Sequence, residues 1–173
     1  MPESPKRRND VGDLRFEFSY PHPPERVWHA ITDSKAIAYW LMPNDFQPVV
    51  GHEFHFRTTP RGAWDGTVAC KVLEVTPPRK LAYSWVGGGI NTVVTFHLVP
   101  EAGGTKLTLE HTGFRGFRGF MASKMMGGGW KSRILAKRLP ATLNFVDDTG
   151  FHPPADGVIP GCESEKEVAE AKR

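Results

Sequence analysis

The stretch NTVVTFHLVPEAGGTKLTLEH, residues 91–111, decides the fold, because apolar and polar residues alternate on both sides of one turn signal. That signal, EAGG at 101–104, is typical of a hairpin. The residues that share the apolar face are Val94, Phe96, Leu98, Leu107, Leu109 and His111. The stretch therefore predicts two antiparallel strands with one buried face and one wet face, and it places a histidine on the buried face.

The same two-residue period extends upstream to about residue 46, which predicts further strands of the same sheet. The segments that carry it are HEFHFRTT (52–59), WDGTVACKVLEV (64–75) and LAYSW (81–85). Turn signals follow at PPRK (77–80) and GGG (87–89). In the second segment the apolar phase changes, which predicts a β-bulge near residues 72–74. Short strands joined by such turns form an antiparallel meander, here of about six strands.

Two short helices precede the meander. DLRFEFSY (13–20) alternates and predicts a first strand. In PHPPERVWHAITDSKAIAYWL (21–41) the rhythm changes to that of a helix, and Pro23 and Pro24 suit a helix start. A second short helix follows, which Asp33 or Ser34 could cap.

A long helix follows the meander. Its apolar stripe consists of Ile134, Leu135, Leu139, Leu143 and Val146. We expect Pro140 to kink it, because proline removes a helical hydrogen bond. Three glycines, 127–129, stand directly before Trp130 and the helical pattern. They predict either a hinge at the mouth of a binding site or a tight turn into the helix.

The order strand, two helices, about six strands and one long helix predicts an α+β fold. An antiparallel sheet with one wet face must cover the other, and the long helix is the element large enough to do so. A curved sheet closed by one helix leaves a space between them, which is the candidate site. We expect the domain to span residues 12–146, between a flexible tail at 1–11 and a polar, acidic tail at 147–173 that could hold a short helix at 163–172.

Composition narrows the class of function. The net charge of +3 gives no nucleic-acid signal, and two distant cysteines without a CxxC pair argue against a zinc site or a disulfide framework. No secretory signal and no membrane-spanning run is evident, so we expect a cytoplasmic protein. We find no G-x-S-x-G, Walker or H-E-x-x-H motif and no acid pair. We therefore assign no catalytic residue, no metal and no cofactor.

At this point the sequence resembles a known family. The segments that carry the resemblance are YPHPPERVWHAITDSKAIAYW, VVGHEFHF, EVTPPRKLAYSW, VVTFHLVPEAGGTKLTLEHTGF and GGGW. In their order and spacing they are similar to the activator of Hsp90 ATPase homologue 1-like branch of the START/polyketide-cyclase (SRPBCC, helix-grip) superfamily. The resemblance covers about residues 13–146. It implies a seven-stranded antiparallel sheet wrapped around a long C-terminal helix, as in the birch-pollen-allergen-like fold, with an inner cavity for apolar or amphipathic molecules.

The predicted ligand contacts are residues on the inward phase and large rings at its edges. They are Trp40, Phe54, Phe56, Trp64, Val68, Tyr83, Trp85, Val94, Phe96, His111 and Trp130. We expect His111 and Tyr83 to orient a lipid, polyketide or aromatic ligand, although the same residues could simply fill a core. His111 could also act as an acid or base, or bond to a backbone carbonyl as a core histidine.

Two alternatives stay open. The chain could be an enzyme, for example a cyclase, dehydratase or hydrolase, that acts on a similar ligand. It could instead use residues 113–138, where bases and aromatic or methionine residues are mixed without any acid, to contact an anionic membrane or an acidic partner. No motif for specific nucleic-acid recognition is present. The sequence leaves the oligomeric state open.

Overall fold

The computed structural model describes residues 12–162 and has the predicted α+β order. The elements are β1 (Leu14–Tyr20), α1 (Pro24–Thr32), α2 (Ser34–Trp40), β2 (Glu53–Arg57), β3 (Thr67–Thr76), β4 (Lys80–Gly87), β5 (Ile90–Glu101), β6 (Gly104–Thr112), α3 (Gly116–Gly128), a π-helical segment (Gly129–Arg138), α4 (Leu139–Leu143), β7 (Val146–Asp147) and β8 (Gly150–Phe151). We call residues 116–143 the C-terminal helix. None of the helices in 12–162 has the length and apolar character needed to cross a membrane.

One antiparallel sheet with the strand order β1-β6-β5-β4-β3-β2 forms the body of the fold. The hairpin predicted at 101–104 joins β5 to β6, where Gly103 has a φ of +81° that favours glycine. The predicted bulge is confirmed, because the β3–β4 register shifts between Val72 and Glu74. Val94 lies opposite His111 in the β5–β6 pair, so the apolar face is continuous across the strands.

The strand count differs from the prediction. Five strands lie between α2 and the C-terminal helix instead of about six, and the sheet has six strands instead of seven. In residues 42–52 the only strand-like pairing is an isolated bridge between Asn44 and Phe56. The Asn44 side chain donates to Met42 O and Ser34 O and accepts from Phe46 N, which folds this segment into turns. Pro43 and Pro48 also lack the N–H that a ladder needs.

The helices α1 and α2 begin where their signals predict. Pro24 is the first residue of α1. The Asp33 carboxylate accepts hydrogen bonds from the amides of Lys35 and Ala36 at 2.8 and 3.2 Å, so Asp33 rather than Ser34 caps α2. Both helices turn apolar side chains towards the sheet, with Val27, Ile31 and Trp40 almost fully buried.

The C-terminal helix begins earlier than predicted, and the prediction of a tight turn at the three glycines is wrong. Gly128 and Gly129 have ordinary helical backbone angles inside a continuous helix, so they form no turn, and the hinge stays a prediction. Gly127 has a packing role, because a Cβ there would lie 3.2 Å from Cδ2 of Leu14. Its small size allows the helix to approach β1 closely.

Residues 129–138 are wound as a π-helix, in which each carbonyl accepts from the amide five residues later. This winding brings residues five apart to the same side, and it turns both Trp130 and Leu135 inward. Further along, Leu139 and Leu143 continue the buried stripe at the α-helical spacing of four. The spacing of five residues between Trp130 and Leu135 therefore matches the five-residue hydrogen-bond repeat of the π-helix.

Pro140 leaves one carbonyl of this segment without its helical partner, and Tyr20 supplies a substitute. The amide of Leu139 donates to Ile134 O in the π pattern, so Leu135 O faces residue 140, which has no N–H. The buried hydroxyl of Tyr20 donates to Leu135 O at 2.7 Å. Strand β1 is thus hydrogen-bonded to the C-terminal helix at the position where proline interrupts the helical hydrogen bonds. The chain stays helical through Pro140.

Beyond residue 143 the chain folds back onto the helices. Strands β7 and β8 form a small hairpin, the Tyr39 hydroxyl donates to Gly157 O at 3.0 Å, and Ile159 is buried. The predicted domain end at residue 146 falls inside this hairpin, and residues 147–162 of the predicted tail pack against the domain. The predicted tail at 1–11 and the possible helix at 163–172 lie outside the described residues.

We expect Tyr20→Phe to lower the free energy of unfolding by about 1–3 kcal/mol, because it leaves a buried carbonyl without a donor. In a Pro140→Ala background the new amide can serve Leu135 O, so the same change should cost about 1 kcal/mol less. Denaturant unfolding of the four proteins measures this coupling. Tyr39→Phe, which removes an exposed hydroxyl bond, is the control and should cost less than about 0.5 kcal/mol. Equal losses in both backgrounds would contradict the assignment.

Candidate functional site

Seven rings meet between the sheet and the C-terminal helix, and we call them the ring cluster. They are Phe54, Phe56, Tyr83, Trp85, Phe96, His111 and Trp130. Six of them alternate along β2, β4, β5 and β6, and Trp130 comes from the π-helical segment. All are at most 5% exposed. The alternation in the sequence therefore brings the predicted rings to one place.

The other predicted contact residues surround this cluster at different depths. Val68 and Val94 are buried beside it in the apolar core. Trp40 is fully buried on α2, packs edge-on against Phe96 at 6.1 Å and donates through its indole nitrogen to Ala30 O. Trp64 lies at the edge, half-buried, with its indole nitrogen donating to Thr67 O.

The rings contact one another instead of surrounding an open space. Within the ring cluster, neighbouring centroids lie between 5.3 and 6.4 Å apart, which is ordinary contact distance for aromatic pairs. Two depressions of about 220 and 400 Å³ among the described residues both lie outside the cluster. In this conformation the space between sheet and helix is filled by the protein's own side chains.

A chain of hydrogen bonds crosses the cluster from helix to sheet. The indole nitrogen of Trp130 can only donate, so Nδ1 of His111, 3.2 Å away, is the acceptor and carries no proton. The imidazole proton therefore sits on Nε2, which donates to Thr92 Oγ1 at 2.7 Å. The Thr92 hydroxyl in turn donates to Trp85 O at 3.2 Å. Each polar group has its partner inside the protein.

Burial keeps these groups uncharged. Removal from water lowers the pKa of His111 to about 3, because the imidazolium form has no compensating charge nearby. Burial likewise raises the pKa of the Tyr83 hydroxyl and raises that of the Cys70 thiol to about 12. His111 is thus a core histidine, bonded to two side chains rather than to a backbone carbonyl. Among residues 12–162 no three His, Cys, Asp or Glu side chains come together as a metal site.

Phe114 separates the ring cluster from the nearer depression. Its ring is fully buried and lies 4.6 Å from the His111 ring, centroid to centroid. The depression of about 220 Å³ on its outer side is lined by Gly89, Ile90, Asn91, Gly113, Phe114, Arg115 and Gly119. A Cβ at Gly119 would lie 3.0 Å from the carbonyl carbon of Phe114, so a small residue allows α3 to close over this ring.

The sequence prediction missed Thr92 and Phe114. Thr92 is in phase with Val94 and Phe96, so the alternation could have placed it on the inward face. Phe114 follows the last residue of β6 and precedes α3, so neither a strand nor a helix period marks it as buried. Only the tertiary contacts identify its position.

The His111 pKa makes stability depend on pH. The unfolded chain takes up a proton near the ordinary histidine pKa of 6.5, whereas the folded chain does so only near 3. The free energy of unfolding therefore has its full value, as far as His111 is concerned, above pH 6.5. It decreases as the pH falls towards 3, by up to about 5 kcal/mol in all, because protonation favours the unfolded chain.

We expect the free energy of unfolding of the wild-type protein to fall about 1.4 kcal/mol per pH unit more steeply than that of His111→Gln below pH 6.5. Denaturant titrations at several pH values compare the slopes. Thr92→Ser perturbs the same place but keeps the hydroxyl and the histidine, so its slope should match the wild type. Identical slopes for wild type and His111→Gln would show that the ring is not held neutral.

Comparisons with known proteins support one family. Residues 21–144 match the family model described as Activator of Hsp90 ATPase homolog 1-like protein. Protein MLL2253 from Mesorhizobium loti is 37% identical, with 68% of this chain and 88% of that chain covered and a TM-score of 0.61. Protein BH1534 from Bacillus halodurans is 28% identical, covers 78% and 98%, and has a TM-score of 0.64.

A third similar structure, CalU16 from Micromonospora echinospora, is 28% identical, with 69% of each chain covered and a TM-score of 0.58. No functionally curated protein matches the chain. The shared features are the curved antiparallel sheet and the long C-terminal helix that closes it.

Proposed function

Since the chain belongs to the family of Activator of Hsp90 ATPase homolog 1-like proteins, we propose that it binds a hydrophobic or amphipathic small molecule between its sheet and its C-terminal helix. The helix-grip fold of this family commonly binds such ligands in that position. In this chain the corresponding place holds the ring cluster, which offers a large apolar surface. Contact with ligand carbon there contributes about 25 cal/mol per Å² of apolar area removed from water.

The observation that carries the proposal is the position of Phe114. Phe114 lines a depression at the surface, and its ring contacts the His111 ring at the edge of the cluster. Ligand sites usually measure about 300–1,000 Å³, and the depression measures about 220 Å³. A ligand therefore needs the ring of Phe114 to swing aside, after which the depression and the cluster form one site.

The hydrogen-bond chain favours one kind of polar group on the ligand. His111 is neutral and its Nδ1 accepts from Trp130. A ligand that separates these two rings replaces the indole as the donor, because leaving Nδ1 unpaired costs free energy. A hydroxyl or N–H on an otherwise apolar molecule meets this requirement. Tyr83 and the remaining predicted contact residues then form the apolar wall.

Catalysis is not favoured by the same geometry. A general base must reach the substrate with a free lone pair near neutral pKa, whereas both nitrogens of His111 are engaged inside the protein and its pKa is about 3. We therefore keep binding as the function. We also propose a cytoplasmic location, since the two cysteines lie far apart in the sequence and form no CxxC pair.

The test is a search for bound ligand followed by a titration. Native mass spectrometry of freshly purified protein should show a co-purified apolar molecule. The protein should also bind N-phenyl-1-naphthylamine, an uncharged fluorescent lipophile, with a rise in its emission and in the melting temperature of the protein. A chain that carries no ligand and shows no probe binding up to the solubility limit would contradict the proposal.

Variants at the entrance locate the binding. Phe114→Ala removes the separating ring and should accelerate probe binding about tenfold or more. Ile90→Trp fills the depression from the strand β5 side and should weaken binding about fivefold or more. Val86→Trp, which adds the same ring at an exposed position of the adjacent strand, is the matched control and should bind as the wild type does. Equal effects of the two tryptophan variants would place the probe elsewhere.

A further inference from the structure

Helix α3 has its small residues against the protein and its large apolar residues in solvent, which is the reverse of an ordinary surface helix. The residues that face the protein are small: Gly119 and Ser123 are buried, and Gly127 packs against Leu14. The large apolar residues point away from the protein. They are Phe117, Phe120, Met121 and Met125, and they are 78%, 37%, 47% and 73% exposed. Their spacing along the helix places all four on one outer face.

Basic residues accompany this outer face, since Arg118 and Lys124 lie within α3 and Arg115 directly precedes it. No acidic residue occurs between Glu110 and Asp147, and seven basic residues do: Arg115, Arg118, Lys124, Lys131, Arg133, Lys137 and Arg138. Lys124 stands within the apolar stripe, with its Nζ 5.4 Å from the centroid of the Phe120 ring. Long basic side chains of this kind keep their charge at the edge of an apolar surface while their stems cover it.

We propose that α3 docks on an anionic lipid bilayer, with Phe117, Phe120, Met121 and Met125 inserted among the acyl chains. The basic residues around them contact the lipid phosphates. An amphipathic helix with large apolar side chains on one face and lysine or arginine beside them has the composition of an interfacial helix. The inference does not depend on the ligand proposed above.

Charge selects the bilayer over a second copy of this chain. A symmetric dimer built on this face would bring Arg115, Arg118 and Lys124 against their own copies without any acid in the segment to compensate. A bilayer that contains anionic lipid supplies the opposite charge and the apolar depth together, and each basic residue near such a surface contributes attraction that salt screens. An acidic protein would supply the charge but needs a matching apolar groove.

The experiment is vesicle flotation of the full chain. One set of vesicles contains phosphatidylcholine alone and the other contains about 30% phosphatidylglycerol, each at about 20 mM and about 500 mM salt. We expect the protein to float with the anionic vesicles at low salt and to bind the neutral ones at least about tenfold more weakly. High salt should weaken binding to the anionic vesicles without abolishing it, because the apolar contact persists.

Paired variants assign the binding to α3. Phe117→Ser with Met125→Ser removes the two most exposed apolar side chains of the face and should weaken binding about tenfold. The matched control is Val49→Ser with Val50→Ser, two residues 57% and 61% exposed in another part of the surface. Arg118→Gln with Lys124→Gln should lower binding at low salt, whereas Lys35→Gln with Arg61→Gln removes the same charge elsewhere and should not.

The outcomes are decisive in both directions. Selective loss in the α3 variants, with unchanged circular dichroism, supports the docking. Absence of binding to anionic vesicles at low salt overturns it, and then an acidic protein, or residues 163–173 of the chain itself, is the occupant to consider. Vesicle binding that the α3 variants retain also overturns it, because another part of the chain then carries the interaction.

Discussion

The hydrogen bond from the Trp130 indole to Nδ1 of His111 joins the C-terminal helix to the sheet where no water reaches. Its existence requires three conditions at once. His111 must be neutral, its proton must lie on Nε2, and the Thr92 hydroxyl must accept a hydrogen bond from that N–H. The alternation of β5 and β6 places Thr92 and His111 on the inward face, and burial keeps the ring uncharged. The polar chain is thus satisfied only in the closed arrangement of helix and sheet.

The C-terminal helix places Trp130 at this hydrogen bond through its π-helical winding. Trp130 and Leu135 are five residues apart and both point inward because residues 129–138 are π-helical. The winding ends at Arg138, two residues before Pro140, which cannot donate to Leu135 O, and the Tyr20 hydroxyl supplies that hydrogen bond instead. π-Helical segments are rare and often occur at functional sites, and this one carries Trp130, a residue of the proposed ligand site.

The sheet could be predicted from the sequence because it depends on a local pattern. A period of two marks the inward residues of every long strand, including His111, and Pro24, Asp33 and the phase change near Val72 mark boundaries that the structure confirms. The ring set followed from the same period. All five alternating segments after residue 46 form strands, and the estimate of about six exceeded their number by one.

The C-terminal helix was harder to predict. In GFRGFRGF (113–120) Phe114 is buried, but within the helix Gly119 faces the protein and Phe117 faces solvent, so the usual rule that large apolar residues point inward gives the wrong side there. The interval of five between Trp130 and Leu135 was not predicted, because the α-helical stripe predicted from the sequence begins at Ile134. Close contact between rings, in place of an open cavity, depends on tertiary packing that no spacing of residues encodes.

These features converge on a closed core in which one neutral histidine joins the helix to the sheet, and we propose that a ligand enters it past Phe114. The nitrogen-15 NMR spectrum of the His111 ring, recorded together with solvent exchange of the Trp130 indole proton, tests this account most directly. We predict a neutral ring with its proton on Nε2 at pH 7 and at pH 5, and an indole proton that exchanges slowly without ligand. A ring that is charged at pH 5, protonated on Nδ1, or paired with a fast-exchanging indole would contradict it.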